Sequence, residues 1–178
     1  MSYLSPEAYL PHEPPMMLLG SVENVTDDTA VCRVAVNGQS VLAPFLNADG
    51  DLPGWYALEL MAQTVGVWSG WHRQQQGQEH IALGMVLGAR ELVCASGHFA
   101  AGLTLDITVK LLMQDERFGS FECAISANEE TLATGRVDGD GQHAIAHQAL
   151  QVGVNVGADV LGVIAGDAAQ FTCAGAFH

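Results

Sequence analysis

The chain of 178 residues has the length of one domain with a core large enough to fold alone. With 49% apolar and 15% charged residues it reads as globular rather than disordered. Twenty acidic residues against six basic ones, a net charge of −14, exclude nucleic acid and anionic membranes as expected partners.

The opening residues, "MSYLSPEAYLPHEPP", have neither a basic start nor an apolar stretch, so no export signal is expected and the expected location is cytoplasmic. "EPPMMLLGSVENVTDDTAVCRVAV" reads as two strands joined by the turn "TDDT", with alternation in "AVCRVAV" supporting the second. "SVLAPFL" reads as a short strand or an extended loop, and "NADGDLPG", crowded with Gly, Asp, Asn and Pro, as a loop.

From about Trp55 to Gln76 the pattern is helical. Positions 59, 63, 66 and 70 form one stripe reading Glu, Gln, Gly, Gly, surrounded by Leu58, Leu60, Met61, Val65, Val67, Trp68 and Trp71. A helix that is apolar over most of its circumference is a buried helix. Each Gly costs about 1 kcal/mol in a helix interior, so two on one stripe point to a backbone or a ligand passing close. Glu59 and the stripe also break the apolar run below the roughly 18 residues that a membrane span needs.

After Gly77 the signals change to strands: "HIALGMVLGARELVC", "LTLDITVKLLMQ", "FGSFECAISANE" and "TLATGRV", with "ASGHFAAG" as a loop between the first two. A single long helix satisfies the burial of such a sheet only if the sheet curves around it, which makes the fold α+β. From Asp138 the chain contains no Lys or Arg and is dominated by Ala, Gly and Val, without a clear period. Residues 1–137 are therefore read as the domain, and 138–178 as an appendage. Cys32, Cys94, Cys123 and Cys173 form no C-x-x-C pair and read as buried thiols, with no metal or cofactor expected.

Two motifs carry a resemblance. "YLPHEPPMMLLGSVENV" resembles the start of the FabZ/FabA-type β-hydroxyacyl-ACP dehydratases. "LPGWYALELMAQTVG" resembles their P-G-x-x-x-x-E-x-M-A-Q-x-x-G helix, through Pro53, Gly54, Glu59, Met61, Ala62, Gln63 and Gly66. "APFLN", "WYALELMAQTVGVWSGWH" and "LGARELVC" look like the ApeP-like subgroup, associated with aryl polyene biosynthesis. The resemblance implies the hotdog fold, a curved antiparallel sheet rolled around one long helix, usually dimerised.

It also implies a chemistry. Dehydrating a 3-hydroxyacyl thioester takes a base for the α-proton, an acid for the leaving hydroxyl, and stabilisation of the thioester oxygen. In the family, the base is a His in an H-F-P-G loop before the helix, and the acid is the helix carboxylate of the other protomer. Carried over, Glu59 becomes the acid, with a pKa raised in a dry site. Gly54 offers its backbone N–H to the thioester carbonyl, and Gln63 orients Glu59 from one turn away. The bland alternative for Glu59 is a carboxylate reaching solvent or pairing across a dimer seam.

The departure is the base. The chain reads "FLNADGDLPG" where the family has its His; Phe45 matches that position without gaps, Asn47 with a loop two residues shorter, and neither is a base at neutral pH. Asn47 is retained as a substrate-binding candidate that orders a water. His98, in "SGHFAAG", follows the helix and reads as lying on the wrong side; His12 reads as structural, His72 and His80 as surface. The resemblance therefore implies one half of an active site, completed in a heterodimer by a His-containing hotdog subunit, or else a homodimer with another base. Acyl carrier protein is the expected carrier of the substrate; being acidic, it is expected to dock poorly on so acidic a chain alone. A non-catalytic hotdog subunit that scaffolds an acyl tunnel and an acyl thioesterase are the alternative readings.

Overall fold

The computed structural model describes residues 2–10, 17–75, 86–114, 119–139 and 171–173. Strands β1, Ser21–Val25, and β2, Thr29–Ala35, form the expected antiparallel hairpin. Thr26 closes its turn: the Thr26 N–H donates to the Thr29 carbonyl at 2.8 Å, and Thr26 Oγ1 accepts from the N–H of Thr29 at 3.1 Å. Alternation does the rest, burying Ala30, Cys32 and Val34 on one face of β2.

"SVLAPFL" is neither strand nor extended loop. Ala43–Phe45 is a 3-10 turn, nucleated by Ser40 Oγ accepting the Leu42 N–H at 3.1 Å, with Pro44 in the first turn, where its missing N–H costs nothing. The two stretches expected to be loops each contain a two-residue strand. β3, Leu52–Pro53, pairs antiparallel with β5, His98–Phe99, setting Pro53 opposite His98.

Helix α1 runs Tyr56–Gln75, and every residue from Tyr56 to Gly70 is buried. The remaining strands are β4, Val86–Cys94; β6, Thr104–Gln114; β7, Gly119–Ala127; β8, Glu130–Gly139; and β9, Phe171–Cys173. With β1 and β2 they form one sheet of order β1-β2-β6-β7-β8-β4-β9, antiparallel at every pair except β4–β9. α1 touches β1, β2, β4, β6, β7 and β8, so the sheet packs against the helix across most of its width. This is the hotdog arrangement. Leu105, Ile107 and Val109 of β6 and Phe121, Cys123 and Ile125 of β7 alternate into the core beside Leu58, Met61 and Val65, and Trp68 meets Phe121 edge-on at 5.3 Å.

The polar stripe of α1 has an occupant along much of its length: the chain's own N-terminal segment. Gln63 Oε1 accepts the Leu18 N–H at 3.0 Å. A Cβ on Gly70 would collide with the backbone carbonyl of Tyr9, so here a close backbone approach does require glycine. Gln74 Nε2 donates to the Ala8 carbonyl at 2.6 Å. His72 is not a plain surface residue either: half-buried, its Nε2 lies 2.8 Å from the Thr26 carbonyl and ties the helix end to the first turn.

Cys32, Cys94 and Cys123 are buried. β8 continues two residues past Val137, and Asp138 there is buried, accepting from Ser120 Oγ at 2.7 Å. His12, His80 and nearly all of 138–178 lie outside the described residues. Among the described residues no helix is long and apolar enough to cross a membrane.

Candidate active site

The site is built on the first two turns of α1 and the loop that feeds it. Glu59 sits one turn into the helix with 1% of its surface exposed. Its Oε2 is buried without a hydrogen-bond partner among the described residues. Burial alone pushes its carboxyl up from 4.5 to about 8, so at neutral pH it is a neutral acid carrying a proton it can donate. Tyr56, one turn earlier, is shifted up by the same desolvation and by the nearby Glu59. The stripe explains its neighbours and not this residue: Gln63 and Gly70 are matched to Leu18 and Tyr9, while Glu59 Oε2 is matched to nothing among the described residues. An unpartnered buried carboxyl oxygen calls for a functional explanation.

The other candidates lie around the helix and the loop that feeds it. Gly54 is buried at the helix entrance, and its N–H donates to the Gly97 carbonyl at 2.9 Å, beside the pairing of β3 with β5. Gln63, one turn after Glu59, accepts the Leu18 N–H at its Oε1. Asn47 is exposed, and its Oδ1 accepts the N–H groups of Asp49 and Asp51 at 2.9 and 3.1 Å. Its oxygen builds the loop: Asx turns of this kind hold tight loops in shape. Phe45, one of the two residues that match the family His, packs its ring 5.4 Å from that of Tyr56, an apolar contact at the helix entrance.

His98 is where sequence order misleads. It follows α1 in the chain, yet the β3–β5 ribbon brings it to the helix entrance, opposite Pro53 and one residue from the Gly97 carbonyl that holds Gly54. His98 Nε2 lies 3.6 Å from Asp51 Oδ2, and Asp51 Oδ1 accepts the Ala101 N–H at 2.8 Å. A two-residue strand shows no alternation, so nothing in "LPG" or "GHF" announces the pairing. Among the described residues, no group of three or more His, Cys, Asp or Glu is arranged to hold a metal ion.

A model of the ApeP-like family, described as ApeP dehydratase, matches residues 4–139. Among solved structures, the chain is similar to one from the dehydratase heterocomplex ApeI:P of Xenorhabdus doucetiae, at 52% identity and a TM-score of 0.75, over 78% of this chain and 91% of that one. The phenylacetic acid degradation protein PaaI of E. coli aligns at 18% identity and a TM-score of 0.51, over 67% of this chain and 80% of that one. The protein of the same name from Thermus thermophilus, in a mutant form, aligns at 16% and 0.54, over 72% and 98%. These two share the fold. No curated protein matches the chain. A buried, protonated carboxyl on the central helix of a hotdog domain, together with the family match over residues 4–139, leads to one conclusion: the chain belongs to the ApeP-like dehydratase family.

Proposed function

We propose that this chain supplies one half of a shared dehydration site, in which Glu59 protonates the leaving hydroxyl of a 3-hydroxyacyl thioester carried on acyl carrier protein. A His from a second hotdog subunit removes the α-proton. The observation that carries this reading is Glu59 itself: fully buried, neutral at physiological pH, and with one carboxyl oxygen unpartnered among the described residues. The step balances: the α C–H and the β C–O bonds break, a C=C bond forms, the base keeps one proton, and the other leaves in water. The N-terminal end of α1, where the helix dipole favours negative charge, suits the thioester oxygen, with Gly54 holding the backbone there through Gly97.

Three features support a partner subunit. The chain has no His between His12 and His72, and neither Phe45, which packs on Tyr56, nor Asn47 replaces the family base. The similar chain from Xenorhabdus doucetiae comes from a dehydratase heterocomplex. Finally, basic side chains are scarce: Arg33 is paired with Asp106 at 2.7 Å and Arg73 is buried, which leaves little to attract an acidic carrier protein. A subunit bringing both a His and basic residues meets both needs. The chains processed are of the fatty-acid or aryl polyene kind.

The test is Glu59→Gln in the reconstituted complex, with enoyl product measured against time. A fall of at least about tenfold in turnover, with the complex still assembled, is expected for loss of a general acid. Unchanged turnover would assign this chain the role of a scaffold, and free acid in place of enoyl product would make it a thioesterase.

A further inference from the structure

The family resemblance implies that the helix entrance of one subunit faces the helix carboxylate of the other, and a twofold or pseudo-twofold axis makes two such places in each pair. The reading above, on which this inference rests, uses one of them: Glu59 of this chain with the partner's base. At the complementary place this chain presents its own helix entrance. There the residues on hand are Pro53, Gly54 and, from the strand paired with them, His98.

We propose that His98, oriented by Asp51, is the base of this complementary site, relocated from the loop before the helix to the strand that pairs with that loop. Position comes first. The helix entrance is where the thioester oxygen is held, and the α-carbon is one bond from the thioester carbonyl carbon. A base is therefore needed beside Pro53 and Gly54, and His98 stands opposite Pro53. Its backbone is fixed twice, by the Gly97 carbonyl on the Gly54 N–H at 2.9 Å and by Ser96 Oγ donating to the His98 carbonyl at 2.6 Å. Its imidazole, half exposed and open to an incoming thioester, has a carboxylate at 3.6 Å.

That carboxylate is itself built in. Asp51 Oδ1 takes the Ala101 N–H, and the Asp51 backbone is clamped at both ends by Asn47, through Asn47 Oδ1 at 3.1 Å and the Asn47 N–H at 2.8 Å. Asn47 thus holds Asp51, and Asp51 faces His98. An imidazole with a carboxylate on one side and substrate on the other is the base–orienter geometry of general base catalysis. In the step, His98 takes the α-proton, the C–O bond to the hydroxyl breaks as the partner's carboxylic acid protonates it, and water and the enoyl thioester result. Two copies of this chain would also set His98 against Glu59. Each carries −14, however, so both self-pairing and carrier docking are opposed, and the site operates in the heterocomplex.

The test uses the complex of this chain with its His-bearing subunit, assayed on a 3-hydroxyacyl thioester of acyl carrier protein. Glu59→Gln silences the first site and leaves the complementary one, a minor contributor of at most about a tenth of the original turnover; that remainder is expected to fall a further tenfold or more when His98→Gln is added, in the range general bases contribute. Asp51→Asn in the same background should lower kcat with KM unchanged, and Asp51→Glu should restore part of it, which a purely structural role would not do. Incorporation of solvent deuterium at C2 during the reverse hydration gives a second readout, expected to be lost with His98. Turnover in the Glu59→Gln complex that ignores His98→Gln would overturn the proposal. So would a Glu59→Gln complex with no turnover left, an outcome that leaves the Glu59 reading standing. If Glu59→Gln changes nothing, the Glu59 reading fails, and the comparison with and without His98 still decides this one.

Discussion

Glu59 shows what a single misplaced-looking residue can reveal. On a helix so apolar, a carboxylate is costly unless it is neutral or paired, and the sequence alone places it on the buried stripe. The structure adds the consequence: a carboxyl raised to about 8 by burial. Because the folded pKa lies above the unfolded one, the proton is bound more tightly in the native state. Stability from this group is complete below about 4.5, declines as pH rises, and is lost above about 8. At about 1.4 kcal/mol per pH unit this amounts to a few kcal/mol. Glu59→Gln should therefore flatten the stability of the isolated chain between pH 5 and 8, measured by urea unfolding; an unchanged slope would mean the carboxyl is ionised in the fold. Asn47 is read differently: its oxygen builds the turn. Asn47→Ala should cost about 1 kcal/mol of stability and leave KM unchanged; a raised KM would return it to the substrate.

At the scale of elements, α1 and the long strands were legible because they carry periodicity, and the hotdog class followed from one greasy helix among many strands. The stripe was legible in part. Two glycines at positions 66 and 70 pointed to a close approach, and at Gly70 that approach is the Tyr9 backbone. Gly70→Ala should destabilise the chain by about 2 kcal/mol, since a backbone cannot yield as a side chain can. A neutral or stabilising result in urea unfolding would show that the N-terminal segment lifts off the helix. The β3–β5 ribbon was not legible. Its strands are two residues long, and the pairing joins segments on either side of a 20-residue helix, so only the fold brings His98 beside Pro53. The 3-10 turn at Ala43–Phe45 escaped for a related reason, being set by Ser40 and Pro44 rather than by any apolar pattern.

For the whole molecule, charge sets the terms of association. A chain at −14 with Arg33 paired and Arg73 buried repels an acidic carrier protein. Titration of carrier protein onto the isolated chain should give weak binding that salt strengthens, since salt screens like-charge repulsion. Onto the complex, binding should be tighter and should weaken with salt. Tight low-salt binding by the isolated chain would remove the electrostatic case for a partner. The central claim is that the working enzyme is a pair of unlike subunits, and its most direct test is dehydration of a 3-hydroxyacyl thioester of acyl carrier protein. The assay compares this chain alone, the His-bearing hotdog subunit alone, and the two mixed. The mixture is expected to exceed the sum of the separate rates by at least about tenfold, a conservative bound on what one acid–base group contributes. A mixture no faster than the partner subunit alone, or this chain alone matching the mixture, would contradict it.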